Sequence, residues 1–267
     1  MGKKIQNQNM ELSVVIITLN EQDNLKRCLQ SLPKNAQIII VDSDSQDDTV
    51  KIARSFGAEV FQREFDAYDA QKNFALSKAK GRWVLCLDAD EALTPILKET
   101  IEGLVSGEPS EDILAYKLSR KLVFMDRELH FGKTMDEPIR LLQRGRAMFK
   151  GRIHEVLDVP ADKVGKMAAG HLLHYSYKDL KDYFIRFNSY TSKVAKNHFE
   201  NKKKFSLLSH LLRPWVEFIT RYFLRLGFLD GYPGYVYALN SSLYAFIKYS
   251  KLIELSHQKR HKQKNGQ

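Results

Sequence analysis

The chain is predicted to form an α/β fold, a mostly parallel sheet flanked by helices with a C-terminal helical appendage. Three observations support this. Between residues 12 and 91, continuous apolar runs rich in β-branched residues alternate with segments of helical spacing, joined by short polar connections. Polar and acidic residues recur where each run ends. After residue 178 the pattern becomes helical, and the charge balance changes with it.

The run 12–19, LSVVIITL, breaks at Asn20-Glu21 and reads as a strand buried on both faces. Residues 22–32 place Leu25, Cys28, Leu29 and Leu32 at helical spacing and stop at Pro33. QIIIVD (37–42) is a second buried strand, followed by a polar turn and a helix from about 47 to 56 that ends at Gly57. AEVF (58–61) is a third strand. A helix over about 67–80 ends at Gly81, and RWVLCLDAD (82–90) is the fourth strand. Beyond Pro95 a helix reaches about 105, and the stretches 113–119, 138–144, 147–157 and 171–177 read as antiparallel strands with long loops. Residues 178–250 are helical in pattern.

A chain of 267 residues with 43% hydrophobic content can build a real core, which excludes a disordered protein. Cys28 and Cys86 have no metal-ligand spacing and read as buried thiols, as expected in a reducing, cytosolic compartment. The N-terminus has no apolar segment before a cleavage site, and no apolar run approaches the ~18 residues of a spanning helix. The expected location is cytoplasmic. Residues 1–177 carry 25 Lys+Arg against 26 Asp+Glu, whereas 178–267 carry 17 against 6, so all the excess positive charge lies in the last third. A basic, aromatic-rich tail on a neutral domain points to an anionic surface as partner.

In parallel sheets ligands bind beyond the carboxyl ends of the strands. Three strands bring Asn20-Glu21, Asp42-Ser43-Asp44 and Asp88-Ala89-Asp90 to that rim. Alternation along a strand would project Asp88 and Asp90 together, a pair suited to a hard divalent cation that shares its remaining positions with phosphate oxygens. The same acids could instead cap or turn the next helix. Asp42 is placed to accept hydrogen bonds from a base or ribose, although DSDSQDD could equally be an ordinary turn. Lys72-Asn73, near the start of a helix, could meet the nucleotide or be plain surface.

The ordered series Thr18-x-Asn20-Glu21, Val41-Asp42-Ser43-Asp44-Ser45-x-Asp47, Gln71-Lys72-Asn73-x-Ala75-Leu76, Ala79-Lys80-Gly81 and Leu87-Asp88-Ala89-Asp90-Glu91 resembles the nucleotide-sugar half of family 2 glycosyltransferases. The resemblance implies a GT-A fold, with residues 1–177 as catalytic domain (12–91 nucleotide-sugar half, 92–177 acceptor half) and 178–267 as a basic helical region. It implies inverting transfer from a nucleotide diphosphate sugar, with Mg2+ or Mn2+ held by Asp90 and Asp88. Thr18, Asn20, Glu21, Asp42, Ser43 and Lys72 would lie around the nucleotide, with Lys72 at a position that is often arginine. Asp44 departs from the pattern by standing where glycine is common, which adds negative charge near the nucleotide. The Gln-x-x-Arg-Trp motif of processive synthases is absent, which favours addition of one sugar.

An inverting displacement needs a general base at the acceptor hydroxyl. Glu155 in GRIHEVL is the leading candidate, and Asp136 and Glu137 in KTMDEPIRLLQRG are the alternatives. Ile153-His154-Glu155 resembles a bacterial subgroup related to lipopolysaccharide core glucosyltransferases, which implies glucose from UDP-glucose and a lipid-linked or core-oligosaccharide acceptor. His154 and Arg140 would steady the diphosphate or acceptor. His171 and His174 would point to opposite faces of a strand, so they are assigned to packing and left out of the site.

In the tail, Trp215, Phe218, Ile219, Tyr222, Phe223 and Leu226 share helical spacing, with Pro214 suited to a first turn. Two roles are compatible: packing on the catalytic domain or on a second subunit, and lying in the headgroup layer of an anionic membrane through 204–260. The second places the protein peripherally on the inner face of the cytoplasmic membrane. No nucleic-acid partner is expected, because the aromatics follow amphipathic-helix spacing. The rival readings are a nucleotidyltransferase, although TLNEQDN lacks a Gly-rich phosphate loop, and a non-enzymatic membrane-binding module.

Overall fold

The computed structural model describes residues 10–108, 110–151, 156–201 and 206–265. Its strands are β1 (Leu12–Thr18), β2 (Gln37–Asp42), β3 (Glu59–Gln62), β4 (Trp83–Asp88), β5 (Glu91–Leu93), β6 (Ala115–Lys117), β7 (Arg120–Phe124), β8 (Arg127–Glu128), β9 (Met135–Asp136), β10 (Ile139–Gln143), β11 (Phe149–Lys150), β12 (Val156–Leu157), β13 (Val164–Lys166) and β14 (Leu172–His174). The helices are α1 (Gln22–Ser31), α2 (Thr49–Ser55), α3 (Tyr68–Lys78), α4 (Pro95–Ser106), α5 (Leu180–Glu200), α6 (Leu207–Ile219) and α7 (Gly231–Asn265). The chain divides into two units, one of residues 1–121 and 136–175, the other of residues 122–135 and 176–267. The expected boundary at 177/178 thus falls two residues earlier, and the segment 122–135 groups with the tail.

In the first unit a seven-stranded sheet has the order β13-β6-β10-β4-β1-β2-β3. Strands β1, β2, β3 and β4 run parallel, and β10 joins antiparallel to β4. Register places Thr18 beside Asp42 and Ile17 beside Asp88, so the carboxyl ends of three strands meet at one rim. Alternation along the pleat sends Val14, Ile16, Ile40, Leu85 and Leu87 to one face, against Leu25 and Leu29 of α1 and Leu97 and Ile101 of α4. Val15, Ile39, Val41, Val84 and Cys86 face Ala75 of α3 on the other. Both faces are covered, which explains why these strands read as uninterrupted apolar runs.

The expected strand 82–90 is shorter. β4 stops at Asp88, residues 89–90 form a turn, and β5 starts at Glu91. The fully buried Glu91 accepts a hydrogen bond from the Asp88 amide at 3.0 Å, which folds the chain back. β5 then pairs antiparallel with β14, placing His174 opposite Glu91. Gly170 makes this approach possible: its φ is +78°, and a Cβ there would lie 2.2 Å from the Leu97 amide nitrogen. The expected strand 147–157 is a short antiparallel pair, β11 with β12.

In the second unit, β7 and β8 form a hairpin whose Leu122, Phe124 and Leu129 pack with Tyr183 of α5 and Tyr237 of α7. The Asp230 carboxylate accepts from the amides of His130 and Phe131, fixing the end of that hairpin. Pro214 lies inside α6 rather than in a first turn, because the apolar stripe begins upstream. Leu208, Leu211, Leu212, Trp215, Val216 and Ile219 form an exposed stripe on α6, Trp215 at 69%. A π-helical turn, Thr220–Leu224, follows. Among the described residues no helix is long and apolar enough to cross a membrane.

Candidate functional site

The rim is assembled from loops that bond to one another. Thr18 Oγ1 donates to Asp42 Oδ2 at 2.8 Å, and Asp42 also accepts from the Ser45 amide at 2.9 Å and the Ser45 hydroxyl at 2.6 Å. Asp42 is fully buried, so it shapes the 42–45 loop, and direct contact with a nucleoside would require these bonds to exchange. Asn20, at φ +55°, donates its amide to Ser45 Oγ and accepts from the Gln46 amide, so it ties the β1 and β2 loops together instead of capping α1. The Glu21 amide donates to Thr49 Oγ1 at 2.8 Å. Ser43 donates its amide to the Thr18 carbonyl, and its hydroxyl accepts from Gln71 Nε2 at 2.9 Å. These hydrogen bonds tie the loops after β1 and β2 into one polar wall at the rim.

Beside that wall is a partly buried ionic network, with Glu91, Arg140 and Lys72 buried and Asp136 at its exposed edge. Lys72, only 6% exposed, places Nζ 3.2 Å from Asp88 Oδ1. Arg140 donates Nη2 both to Asp88 Oδ2 and to Glu91 Oε1, the latter at 2.6 Å. Arg120 donates Nη1 to Glu91 at 2.7 Å and grips Asp136 through Nε and Nη2 at 2.8 and 2.6 Å. Burial opposes the charge on Asp88, but Arg140 and Lys72 outweigh it and hold its carboxyl well below the ordinary carboxylate range. Burial likewise opposes the charge on Asp136, and Arg120 overcomes it, so this carboxyl too is depressed. Three cations and three carboxylates are thus matched in one network. The Nε of Arg140 is buried without a hydrogen-bond partner.

Asp90 lies outside this network. Its Oδ2 stands 3.4 Å from Nε2 of His174, and its carbonyl accepts from the Tyr175 amide at 2.8 Å. Two ligands at about 2.1 Å on adjacent octahedral positions lie about 3 Å apart, so this pair fits a shared divalent cation. Among the described residues no group of three or more His, Cys, Asp or Glu gathers, so phosphate oxygens and water would complete such a sphere. Asp88, engaged by Lys72 and Arg140, is less disposed than Asp90 to bind a cation directly.

The general-base candidates fare unequally. Asp136 is clamped by Arg120, and a depressed carboxyl is a weak base. Glu137 pairs with Lys166 at 2.6 Å. Glu155 and His154 lie outside the described residues. Sequence reasoning missed Arg120, assigned His174 to packing and gave Glu91 no role. Glu91 stood within the quoted motif, and an acid directly after D-x-D is a usable signal. Arg120 and His174 reach the site only through strand pairing far along the chain. The thiol of Cys28 lies behind Asp88, raised by burial and by the surrounding carboxylates, and burial pushes Cys86 up to about 12, so both stay thiols.

Comparison with known proteins identifies the family. A family model for glycosyl transferase family 2 matches residues 13–111. A Rickettsia typhi protein named as an uncharacterized glycosyltransferase is 31% identical, covering 92% of this chain and 88% of its own length. The lipopolysaccharide core biosynthesis glycosyltransferase LpsC of Rhizobium meliloti is 28% identical, covering 92% of this chain and 93% of its own length. Among solved structures, a mannosyltransferase of Pyrobaculum calidifontis in complex with GDP-Man and Mn2+ shares the fold, with TM-score 0.51 and 14% identity over 91% of this chain and 87% of that chain. With a parallel sheet whose carboxyl rim carries the matched motifs, and relatives that extend over nearly its whole length, the chain belongs to the family 2 glycosyltransferases and is a sugar-transferring enzyme of GT-A fold.

Proposed function

We propose that the enzyme moves one hexose, glucose from UDP-glucose, by inverting displacement to a lipid-linked or lipopolysaccharide-core acceptor at the inner face of the cytoplasmic membrane. The observation that carries the reading is the Asp90–His174 pair beside the Lys72–Asp88–Arg140 network at the carboxyl rim of the sheet. Lys72 and Arg140 are cations of fixed position, suited to the diphosphate oxygens as the leaving group takes up charge. Thr18, Asn20, Glu21, Asp42 and Ser43 belong to the loops that would frame the nucleoside. Mg2+ or Mn2+ held by Asp90 and His174 would supply further neutralisation of the diphosphate when bound.

In the reaction the acceptor hydroxyl oxygen bonds to the anomeric carbon while the bond from that carbon to the diphosphate oxygen breaks. The electron pair leaves with the nucleotide, and the hydroxyl proton passes to a carboxylate. Glu155 is the preferred base, supported by the engagement of Asp136 with Arg120 and of Glu137 with Lys166. The choice of UDP-glucose follows the sequence resemblance to lipopolysaccharide core glucosyltransferases, and the likeness to LpsC supports the acceptor class. The exposed apolar stripe of α6 and the 17 Lys+Arg against 6 Asp+Glu in 178–267 support contact with an anionic membrane.

The test is sugar transfer and thermal shift across a panel of UDP-, GDP- and ADP-sugars with Mn2+. UDP-glucose is expected to give the largest shift and the fastest turnover. Asp90→Ala is expected to abolish transfer while the protein stays folded. Full activity of that variant in EDTA would refute the cation reading, and preference for another donor would replace UDP-glucose.

A further inference from the structure

The second unit has a cavity that the transfer reading does not use. Its volume is about 230 Å3, and it lies among α5, α6 and α7. Tyr177, Tyr237, Tyr244, Arg213, Arg221 and Lys248 line it, and none of them belongs to the acidic rim.

The lining has a definite chemistry. Glu217 is the one acid among the lining residues, against three cations, and it is bonded to Arg221 Nε at 2.6 Å. The cavity is therefore net positive. Arg221 is fixed further by donating Nη1 to the carbonyl of Gly132 at 2.9 Å, and Arg213 by donating Nη1 to the Tyr249 hydroxyl at 3.0 Å. Fixed guanidiniums have already lost the rotamer freedom that anion binding would otherwise consume. The aromatic side chains are packed on one another, with Tyr177 and Tyr183 rings 4.7 Å apart, so they offer preformed ring faces with polar tips. Burial pushes the Tyr177 hydroxyl up to about 12, which keeps it a neutral hydrogen-bond donor. The volume falls below the ~300 Å3 at which clefts for larger ligands begin, so one ring with an anionic substituent fits and a nucleotide sugar does not.

We propose that this cavity is a second saccharide site that takes a phosphorylated sugar, the ring resting on the tyrosine faces and the phosphate held by Arg213 and Lys248. The phosphosugar can come from two sources, a free sugar phosphate or the headgroup of a phosphoglycolipid. The geometry ties the site to α6: Arg213 and Glu217 face the cavity from the helix that also carries the exposed Leu211, Leu212 and Trp215 stripe. A helix with one face on a membrane and another on this cavity would hold the cavity at headgroup level. The inference does not depend on the identity of the donor.

The experiment uses the full chain without nucleotide. Isothermal titration is run with glucose 6-phosphate, glucose and inorganic phosphate, and flotation with phosphatidylcholine vesicles containing either monophosphoryl lipid A, a phosphorylated glucosamine lipid, or phosphatidylglycerol. Arg213→Ala/Lys248→Ala and Tyr244→Ala are compared with wild type, each checked for an unchanged melting curve. Glucose 6-phosphate binding tighter than glucose and phosphate, weakened at least about tenfold in both variants, supports the site with a soluble ligand. Stronger retention by lipid A vesicles than by phosphatidylglycerol vesicles, with that difference lost in both variants, supports it with a membrane-borne ligand. Equal binding of inorganic phosphate or phosphatidylglycerol, binding by neither phosphosugar, or variants that bind like wild type would overturn it. Donor binding and transfer are measured separately, so failure here leaves the transfer reading standing, and the reverse.

Discussion

Glu91 is the keystone of the acidic rim, and Glu91→Gln tests that assignment. In the native protein this fully buried carboxylate accepts Arg120 at 2.7 Å, Arg140 at 2.6 Å and the Asp88 amide at 3.0 Å. The amide of glutamine removes one negative charge from between two guanidiniums and turns a donor toward other donors. Breaking a buried ion pair by changing one partner costs about 3–5 kcal/mol when the other charge is stranded. Here Asp88 still faces Arg140 and Asp136 still faces Arg120, so the expected loss lies near the lower figure, about 3 kcal/mol. At about 2–4 °C per kcal/mol for a chain of this size, the Tm of the first unit falls by roughly 6–12 °C. The assay is thermal unfolding followed by tryptophan fluorescence in a Trp215→Phe background. There Trp83, 2% exposed in β4, is the remaining tryptophan and reports the unit that contains Glu91. Nucleotide binding is expected to weaken in parallel, because Asp88 and Arg140 lose their common anchor. A midpoint within about 2 °C of wild type, with nucleotide affinity intact, would refute the claim that Glu91 holds the network together.

Three further outcomes are expected. Glu155→Gln lowers kcat by about 10^2–10^4 with donor affinity retained, measured by initial rates and by titration with UDP-glucose, and wild-type turnover would remove Glu155 as base. The folded state holds the Asp88 carboxyl below its unfolded value of ~3.9, so its contribution to stability is complete above about pH 4 and is lost as pH falls from there toward the depressed value. Urea unfolding between roughly pH 2 and 5 should therefore show a shallower acid limb in Asp88→Asn than in wild type, and identical limbs would contradict the assignment. Leu212→Glu/Trp215→Glu is expected to abolish flotation with phosphatidylglycerol vesicles, because both side chains lie on the exposed stripe of α6. Unchanged flotation would exclude that stripe as the membrane contact, and conversion of a wild-type dimer to monomer in sedimentation would assign the stripe to a second copy of the chain.

The sequence by itself determined the parallel half of the fold. Runs such as LSVVIITL and QIIIVD are apolar at every position because both faces of the sheet are covered, and that pattern is local. It also determined that Thr18, Asp42 and Asp88 share one rim, since each lies at the end of a strand whose place in the sheet follows from alternation with helices, whereas it left Lys72 open between the site and plain surface. The C-terminal helices were legible for the same reason, although the helix boundary at Pro214 was not. Tertiary structure alone decided how the charges pair. His174 comes to Asp90 because β14 pairs with β5 across most of a domain, and Arg120 reaches Glu91 from a strand that sequence could not order. The D-x-D segment turns after Asp88 because a buried Glu91 accepts that residue's amide, a contact that strand propensity cannot anticipate. Local periodicity reports burial, which acts on each residue separately. Pairing between charges depends on distances of a few ångströms between segments far apart in the chain, and only the folded structure sets those distances.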